Sequence, residues 1–116
     1  MNSVQLVGRL VADPELRTTN AAGIPVANFR VAINRGKDKP ADFIPVIAWE
    51  KEAENVAKYM KKGERVGVEG RLQTRNYEVD GQKRFAMEVV ARHVEFLEPK
   101  HNGPSDAVEV PEDIPF

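Results

Sequence analysis

Three aromatic side chains and two arginines occupy alternating positions in segments whose pattern predicts β-strands. Phe43 and Trp49 belong to one segment, and Arg71, Arg75 and Tyr77 belong to another. Because alternate residues of a strand point to the same side, all five lie opposite the predicted core. Nucleobases stack on aromatic rings at about 1–3 kcal/mol each, and guanidinium groups neutralise phosphates. The combination predicts a surface for single-stranded nucleic acid. The alternative is that Phe43, Ile47 and Trp49 pack in a second core layer or a subunit interface.

Five strands and one helix are predicted to position these side chains. Period-2 alternation and β-branched residues favour strands, which we place at residues 4–12, 26–34, 42–49, 65–77 and 83–97. The third of them carries apolar residues on both faces. Between the third and fourth strands, Ala53, Val56, Ala57 and Met60 repeat with the spacing of an amphipathic helix, which Gly63 ends.

The C-terminal part of the sequence predicts a hairpin turn, an irregularity in the last strand and a tail outside the barrel. Asp80-Gly81 predicts a hairpin turn between the last two strands, and a slip in apolar parity predicts a bulge or sharp bend near Val89-Val90. Three strands, a helix and two strands are typical of an OB-fold, so we predict a mainly β, five-stranded OB-fold barrel over residues 1–98. Polar residues and chain breakers predict a flexible linker at 99–110, before a tip at 111–116.

Composition excludes several classes of function. At 116 residues and 13.0 kDa the chain supports one domain, and no apolar run approaches the roughly 18 residues of a membrane span. Cysteine is absent, and His93 and His101 are the only histidines, which leaves little for thiol, imidazole or metal chemistry. We therefore expect no cofactor, no metal and no enzymatic activity. The first residues lack a secretory signal pattern, so a cytoplasmic location is expected.

Charge is divided unevenly along the chain. Residues 1–97 hold 16 Lys and Arg against 13 Asp and Glu, whereas residues 98–116 hold one against five. The body therefore carries a charge of +3 and the tail one of −4. A basic body favours a polyanionic partner, and an acidic tail indicates a separate role.

Several segments together resemble the bacterial single-stranded DNA-binding protein (SSB) family. The resemblance covers nearly all of residues 1–98, and its specificity lies in the number and order of the segments. They are Val-Gln-Leu-Val-Gly-Arg-Leu at 4–10, Asp-Pro-Glu-Leu-Arg at 13–17, the strand from Phe43 to Trp49, Ala-Glu-Asn-Val-Ala-Lys-Tyr at 53–59, Lys62-Gly63, Val-Glu-Gly-Arg-Leu-Gln-Thr-Arg-Asn-Tyr at 68–77 and Glu-Phe-Leu at 95–97.

The resemblance implies an OB-fold, assembly into a homotetramer and sequence-independent binding of single-stranded DNA. It places Phe43, Trp49 and Tyr77 at the family's stacking positions. It places Arg71 and Arg75 among the residues that contact phosphates. Such a protein would coat single-stranded DNA at the nucleoid during replication, recombination and repair.

The loop between the second and third strands departs from the family pattern. Residues 35–41 form a short loop without an aromatic residue, whereas family members usually have a longer loop with a further stacking side chain. Arg35, Lys37 and Lys39 offer positive charge to phosphates in its place.

The C-terminal residues resemble the acidic tip with which the family docks into replication, recombination and repair enzymes. The residues implied are Glu112, Asp113, Ile114, Pro115 and Phe116. A basic-rimmed apolar pocket could hold the terminal ring and carboxylate, while the acids add charge-assisted contacts. Pro111 stands where the family tip usually has an acid.

Two other functions remain open at the level of sequence. A specialised paralogue acting in DNA uptake, in a phage or plasmid, or at primosome assembly would be compatible with the short loop and linker. An OB-fold enzyme component is a further alternative, but no carboxylate cluster for two metals and no nucleophilic lysine motif supports it.

Overall fold

The computed structural model describes residues 1–19 and 21–97, which form six strands and one helix. The predicted linker at 99–110 and the tip at 111–116 lie outside the described residues. In chain order the elements are β1 (Val4–Leu10), β2 (Glu15–Thr18), β3 (Pro25–Ile33), β4 (Asp42–Trp49), α1 (Glu50–Tyr59), β5 (Arg65–Val79) and β6 (Gln82–Phe96).

Five of the strands close into a barrel. They are hydrogen-bonded in the order β1-β5-β6-β4-β3, and β3 pairs again with β1 at Arg9–Ala32 and Leu10–Val31. All pairs are antiparallel except β4 with β6. The helix lies between the third and fourth of these five strands in chain order, which confirms the predicted OB-fold.

The sixth strand, β2, is additional to the sequence prediction. It pairs only with β3, at the outer edge of the sheet, and all four of its residues are exposed. A strand with no buried side has no apolar alternation, so its pairing with β3 is not visible in the local sequence.

The core fills the inside of the barrel and the end that the helix covers. The largest fully buried side chains are Val31, Val46, Val56, Val66 and Val89. The helix contributes Ala53 and Val56 to this core, as its apolar spacing predicts. Its Glu52 carboxylate accepts a hydrogen bond of 3.0 Å from the backbone N–H of Val94, which ties the helix to β6.

A bulge in β6 lies slightly later than the sequence predicts. The register shifts between Glu69 and Gly70 of β5, which are opposite His93 and Ala91, so Arg92 is the extra residue. The irregularity predicted near Val89-Val90 is therefore present in β6, two residues further along the chain at Arg92. A Cβ atom at Gly70 would collide with the Val90 carbonyl, so glycine permits the close approach of the two strands here.

The β5–β6 hairpin extends beyond the barrel. The pairing of β1 with β5 reaches Gly70, and the Asn2 side chain then bonds both backbone polar groups of Leu72, at 2.8 and 2.9 Å. Asp80 and Gly81 form the tip with φ values of 52° and 78°, which confirms the predicted hairpin turn. Leu72, which the alternation places toward the core, is exposed because the hairpin leaves the barrel there.

Among the residues described, α1 is the only helix, and it is too short and too polar to cross a membrane.

Candidate nucleic-acid interface

Strand β4 is apolar on both sides, and its two sides have different surroundings. Val46 and Ala48 are buried in the barrel, whereas Phe43 is 56% exposed and Trp49 is 40% exposed. These aromatics share one parity and are six residues apart, which corresponds to about 20 Å along a strand. The two rings are therefore displayed at opposite ends of the same strand.

Strand β6 lies between β4 and β5 and connects the predicted site residues into one surface. Ile47 of β4 is opposite Val90 of β6, and Val90 is opposite Arg71 of β5. On the other side of β4, Asn28 of β3 is opposite Ile47. A single row thus crosses four strands. We call the side chains of these four strands that point away from the core the outer face.

Arg71 and Tyr77 lie on the outer face along β5. Both are exposed, Tyr77 by 41%. Within residues 1–19 and 21–97, Arg71 makes no ion pair. Its guanidinium group is therefore available to an anion, as the alternation of β5 predicts.

Arg75 also lies on the outer face but, unlike Arg71, forms an ion pair there. Its Nε lies 3.3 Å from the Oε2 of Glu88, and its Cζ lies 5.3 Å from the centroid of the Tyr77 ring. The Nε2 of Gln73 donates a 2.9 Å hydrogen bond to the same Glu88 oxygen. The structure thus groups two predicted site residues, Arg75 and Tyr77, with a carboxylate that the sequence prediction did not include.

The loop between β3 and β4 carries the remaining predicted cations. Lys37 and Lys39 are exposed, and Arg35 forms a 3.7 Å ion pair with Asp42, the residue before Phe43. The loop therefore holds its cations at the end of β4 that displays Phe43. The structure does not bring them to Trp49, which lies at the other end of the strand.

A groove of about 300 Å³ opens on the outer face. It is lined by Asn28, Arg30, Pro45 and Glu88 of the outer face and by residues 11–13 and 15. The groove thus lies between the segment that follows β1 and Glu88 of β6. Its lining includes Pro45, which is two residues from Phe43 along β4.

Sequence reasoning missed three charged residues of this face. Arg30 has the outward parity of β3, Arg84 is opposite Tyr77, and Glu88 interrupts an apolar run of β6. Alternation alone could have identified Arg30. The roles of Arg84 and Glu88 depend on the register of the hairpin, which involves residues distant along the chain.

The described part of the chain holds no group of three His, Cys, Asp or Glu side chains that could bind a metal ion. Its exposed aromatic and cationic groups are suited to stacking and charge neutralisation.

Comparison with known proteins identifies the family. The profile of the single-strand binding protein family matches residues 1–97. The chain is 55% identical over 108 residues to "Single-stranded DNA-binding protein 2" of Listeria monocytogenes, covering 88% of this chain and 67% of the relative. It is 52% identical over 109 residues to "Single-stranded DNA-binding protein" of Bacillus cereus, covering 89% and 64%. A Staphylococcus aureus protein of the same name is 52% identical over 108 residues, covering 88% and 69%.

The chain therefore belongs to the single-strand binding protein family. Membership assigns it to the proteins that bind single-stranded DNA and are not enzymes. The matched part spans about two thirds of the length of these relatives.

Trp49 is held by an abrupt junction between strand and helix. It ends β4 with extended backbone angles, φ −120° and ψ 147°, and α1 begins at the next residue. The chain turns at Glu50, whose φ of 58° lies in the left-handed region. This conformation costs a residue with a Cβ about 1–3 kcal/mol. Trp49 thus lies directly before a strained residue.

We expect Glu50→Gly to increase the free energy of unfolding by roughly 1 kcal/mol. Glycine relieves the strain, and this gain exceeds the roughly 0.3–1 kcal/mol lost with an acid at the helix N-terminus. Glu54→Gly, at an exposed position inside the same helix, is expected to lower the free energy of unfolding by up to about 1 kcal/mol. Urea unfolding of both variants measures the difference, and a loss of stability in both would contradict the strained junction.

Proposed function

We propose that the outer face of the barrel is the surface on which this protein binds single-stranded DNA. Bases stack on Phe43, Trp49 and Tyr77, and Arg71 neutralises phosphates between them. The observation that carries the proposal is the exposure of these aromatics on the side of the sheet that Arg71 shares. Large aromatic side chains kept in water on a sheet face favour a ligand that covers them.

Stacking explains why the ligand is a single strand and why its sequence is not read. The bases of a duplex are stacked on one another, so their faces cannot reach Phe43 or Trp49. Every unpaired base presents a π-face, so stacking tolerates any sequence. The groove that Asn28, Arg30 and Pro45 line offers the DNA backbone a concave surface beside β4.

The cations of the β3–β4 loop extend the phosphate contacts toward Phe43. Lys37 and Lys39 are exposed, and the ion pair of Arg35 with Asp42 is on the surface. A surface ion pair contributes about 0–1 kcal/mol, so Arg35 can exchange Asp42 for a phosphate at little cost. Charge at this loop compensates for the aromatic residue that the loop lacks.

Assembly into a homotetramer is part of the proposal. Between Val4 and Val7, β1 pairs with β5 on one side only, which leaves the other edge of the strand without a partner strand in the described structure. Val7, on the same strand, is an exposed apolar residue. An open edge beside an apolar side chain favours pairing with a second copy of the chain. Several copies would present several outer faces to one strand of DNA at the nucleoid.

The organisation of the chain supports a second role for its C-terminal residues. We assign 1–98 to DNA binding, 99–110 to a linker and 111–116 to the docking of replication, recombination and repair enzymes. The acids Glu112 and Asp113 are followed by Ile114, Pro115 and Phe116. The charge of −4 in residues 98–116 opposes their binding to DNA, so it favours a partner with a basic pocket.

Phe43→Ala is expected to raise the Kd for a fluorescein-labelled oligo-dT roughly 5- to 150-fold, because one stacking contact is lost. Tyr77→Ala is expected to act in the same direction. Phe85→Ala is the matched control, because Phe85 is 63% exposed but points to the opposite side of the hairpin. Fluorescence anisotropy measures the affinities. An effect of Phe85→Ala as large as that of Phe43→Ala would overturn the assignment of the outer face.

Phe116→Ala is expected to reduce the retention of a partner enzyme on protein-coated DNA roughly tenfold or more, since a buried aromatic anchor dominates such contacts. Biolayer interferometry on immobilised oligo-dT, with a purified bacterial repair helicase and a primase as probes, measures the retention. Val110→Ala is the control, and neither variant should change DNA affinity more than about twofold. Equal retention of both enzymes by Phe116→Ala and the unchanged chain would refute docking through the tip.

A further inference from the structure

We propose that Glu88 is a positioning residue of the DNA-binding surface. It holds the Arg75 guanidinium so that this cation supports the Tyr77 ring and does not neutralise a phosphate. The inference rests on the proposed function of the outer face and assigns Arg75 a role different from the phosphate contact that the sequence suggests.

Glu88 is a buried carboxylate beneath an exposed surface. Its side chain is 8% exposed, whereas that of Arg75 is 55% exposed. A buried carboxylate is costly unless it is paired and hydrogen-bonded. Glu88 meets this requirement with two donors, Gln73 at 2.9 Å and the Arg75 Nε at 3.3 Å and 3.4 Å from its two oxygens.

The register of the hairpin explains why Arg75 reaches Glu88. Gln73 is directly opposite Glu88, and Arg75 is opposite Ala86. The alanine side chain is short, so the arginine can extend across it to the diagonal position. Diagonal neighbours are about 7–8 Å apart, which a long side chain can span. Register and a small facing residue thus direct Arg75 toward the carboxylate.

Arg75 also contacts the aromatic residue two positions along β5. Its Cζ lies 5.3 Å from the centroid of the Tyr77 ring, within the range of a cation–π contact. Because Glu88 holds the guanidinium group of Arg75, this group is a fixed neighbour of the Tyr77 ring. The order of contacts is therefore Glu88, Arg75, Tyr77, and it ends at a proposed stacking side chain.

The charges of these residues distinguish a positioning role of Arg75 from a direct contact with phosphate. A carboxylate under a DNA-binding surface repels phosphates, and its pairing with Arg75 leaves little net charge at this point. Arg71, on the same strand, has no such partner in the described structure. If Glu88 positions Arg75, then removal of Arg75 and removal of Arg71 must affect the salt dependence of binding differently.

The test compares Arg75→Gln with Arg71→Gln in titrations of labelled oligo-dT at a series of salt concentrations. Loss of a phosphate contact reduces the slope of log K against log salt by about 0.7 for a single strand. We expect this reduction for Arg71→Gln. Arg75→Gln should leave the slope nearly unchanged, because no phosphate contact is lost. It should weaken binding at least about two- to fivefold at every salt concentration, because Tyr77 loses its support and the Glu88 carboxylate is left unpaired.

Glu88→Gln provides the reverse test. Release of Arg75 from the carboxylate should make it a phosphate contact and steepen the slope by about 0.7. The double variant Glu88→Gln/Arg75→Gln should return the slope to that of the unchanged chain. Urea unfolding shows whether each variant folds. If a single variant does not fold, the slope of the double variant still tests the proposal, because this variant leaves no unpaired charge at the site.

The possible results are distinguishable from a failure of the proposed function. A slope reduced by Arg75→Gln as much as by Arg71→Gln, or unchanged by Glu88→Gln, would overturn the positioning role. Arg71→Gln without effect on slope or affinity would instead overturn the assignment of the outer face.

Discussion

The pairing of β6 with both β4 and β5 is the contact on which the rest of the structure depends. The pairing with β4 joins the segments before and after the helix and, together with the pairings of β1 with β3 and β5, closes the barrel around a core that includes Val89. The same pairing aligns Ile47, Val90 and Arg71 in one row on the outer face. Barrel closure and the continuity of the binding surface therefore both depend on the pairing of β6. Gly70 permits this pairing because it lets β5 and β6 approach closely at the bulge.

In strand β4, the residues that stabilise the barrel are different from the residues proposed to bind DNA. Its inward residues Val46 and Ala48 are buried, and their burial fixes the strand whatever the ligand. Its outward residues Phe43 and Trp49 contribute little to the core and remain exposed. Because the strand is held from within, the exposed rings are presented on a rigid element, which lowers the entropy lost on stacking. The strained backbone at Glu50 adds a second constraint beside Trp49.

The parts of the structure that sequence predicts are those set by local alternation. The five barrel strands, the helix and the outward positions of Phe43, Trp49 and Arg71 follow from a period of two or of 3.6 residues. The strand β2, the position of the bulge at Arg92 and the contacts of Glu88 do not, because each depends on register between distant segments. A single sequence carries no direct signal of such register, and an exposed edge strand leaves no apolar pattern to detect. The aromatic and cationic residues indicate a single-stranded nucleic acid, and the family resemblance adds that this ligand is DNA.

The intrinsic fluorescence of Trp49, the only tryptophan in the chain, tests the central claim most directly. Titration with oligo-dT should quench this fluorescence strongly, because a base stacks on the exposed indole, and added salt should weaken the effect. A matched duplex should quench it little. Binding of oligo-dT in a mobility-shift assay without any change in Trp49 fluorescence would contradict the account, since the strand would then occupy a surface other than the outer face.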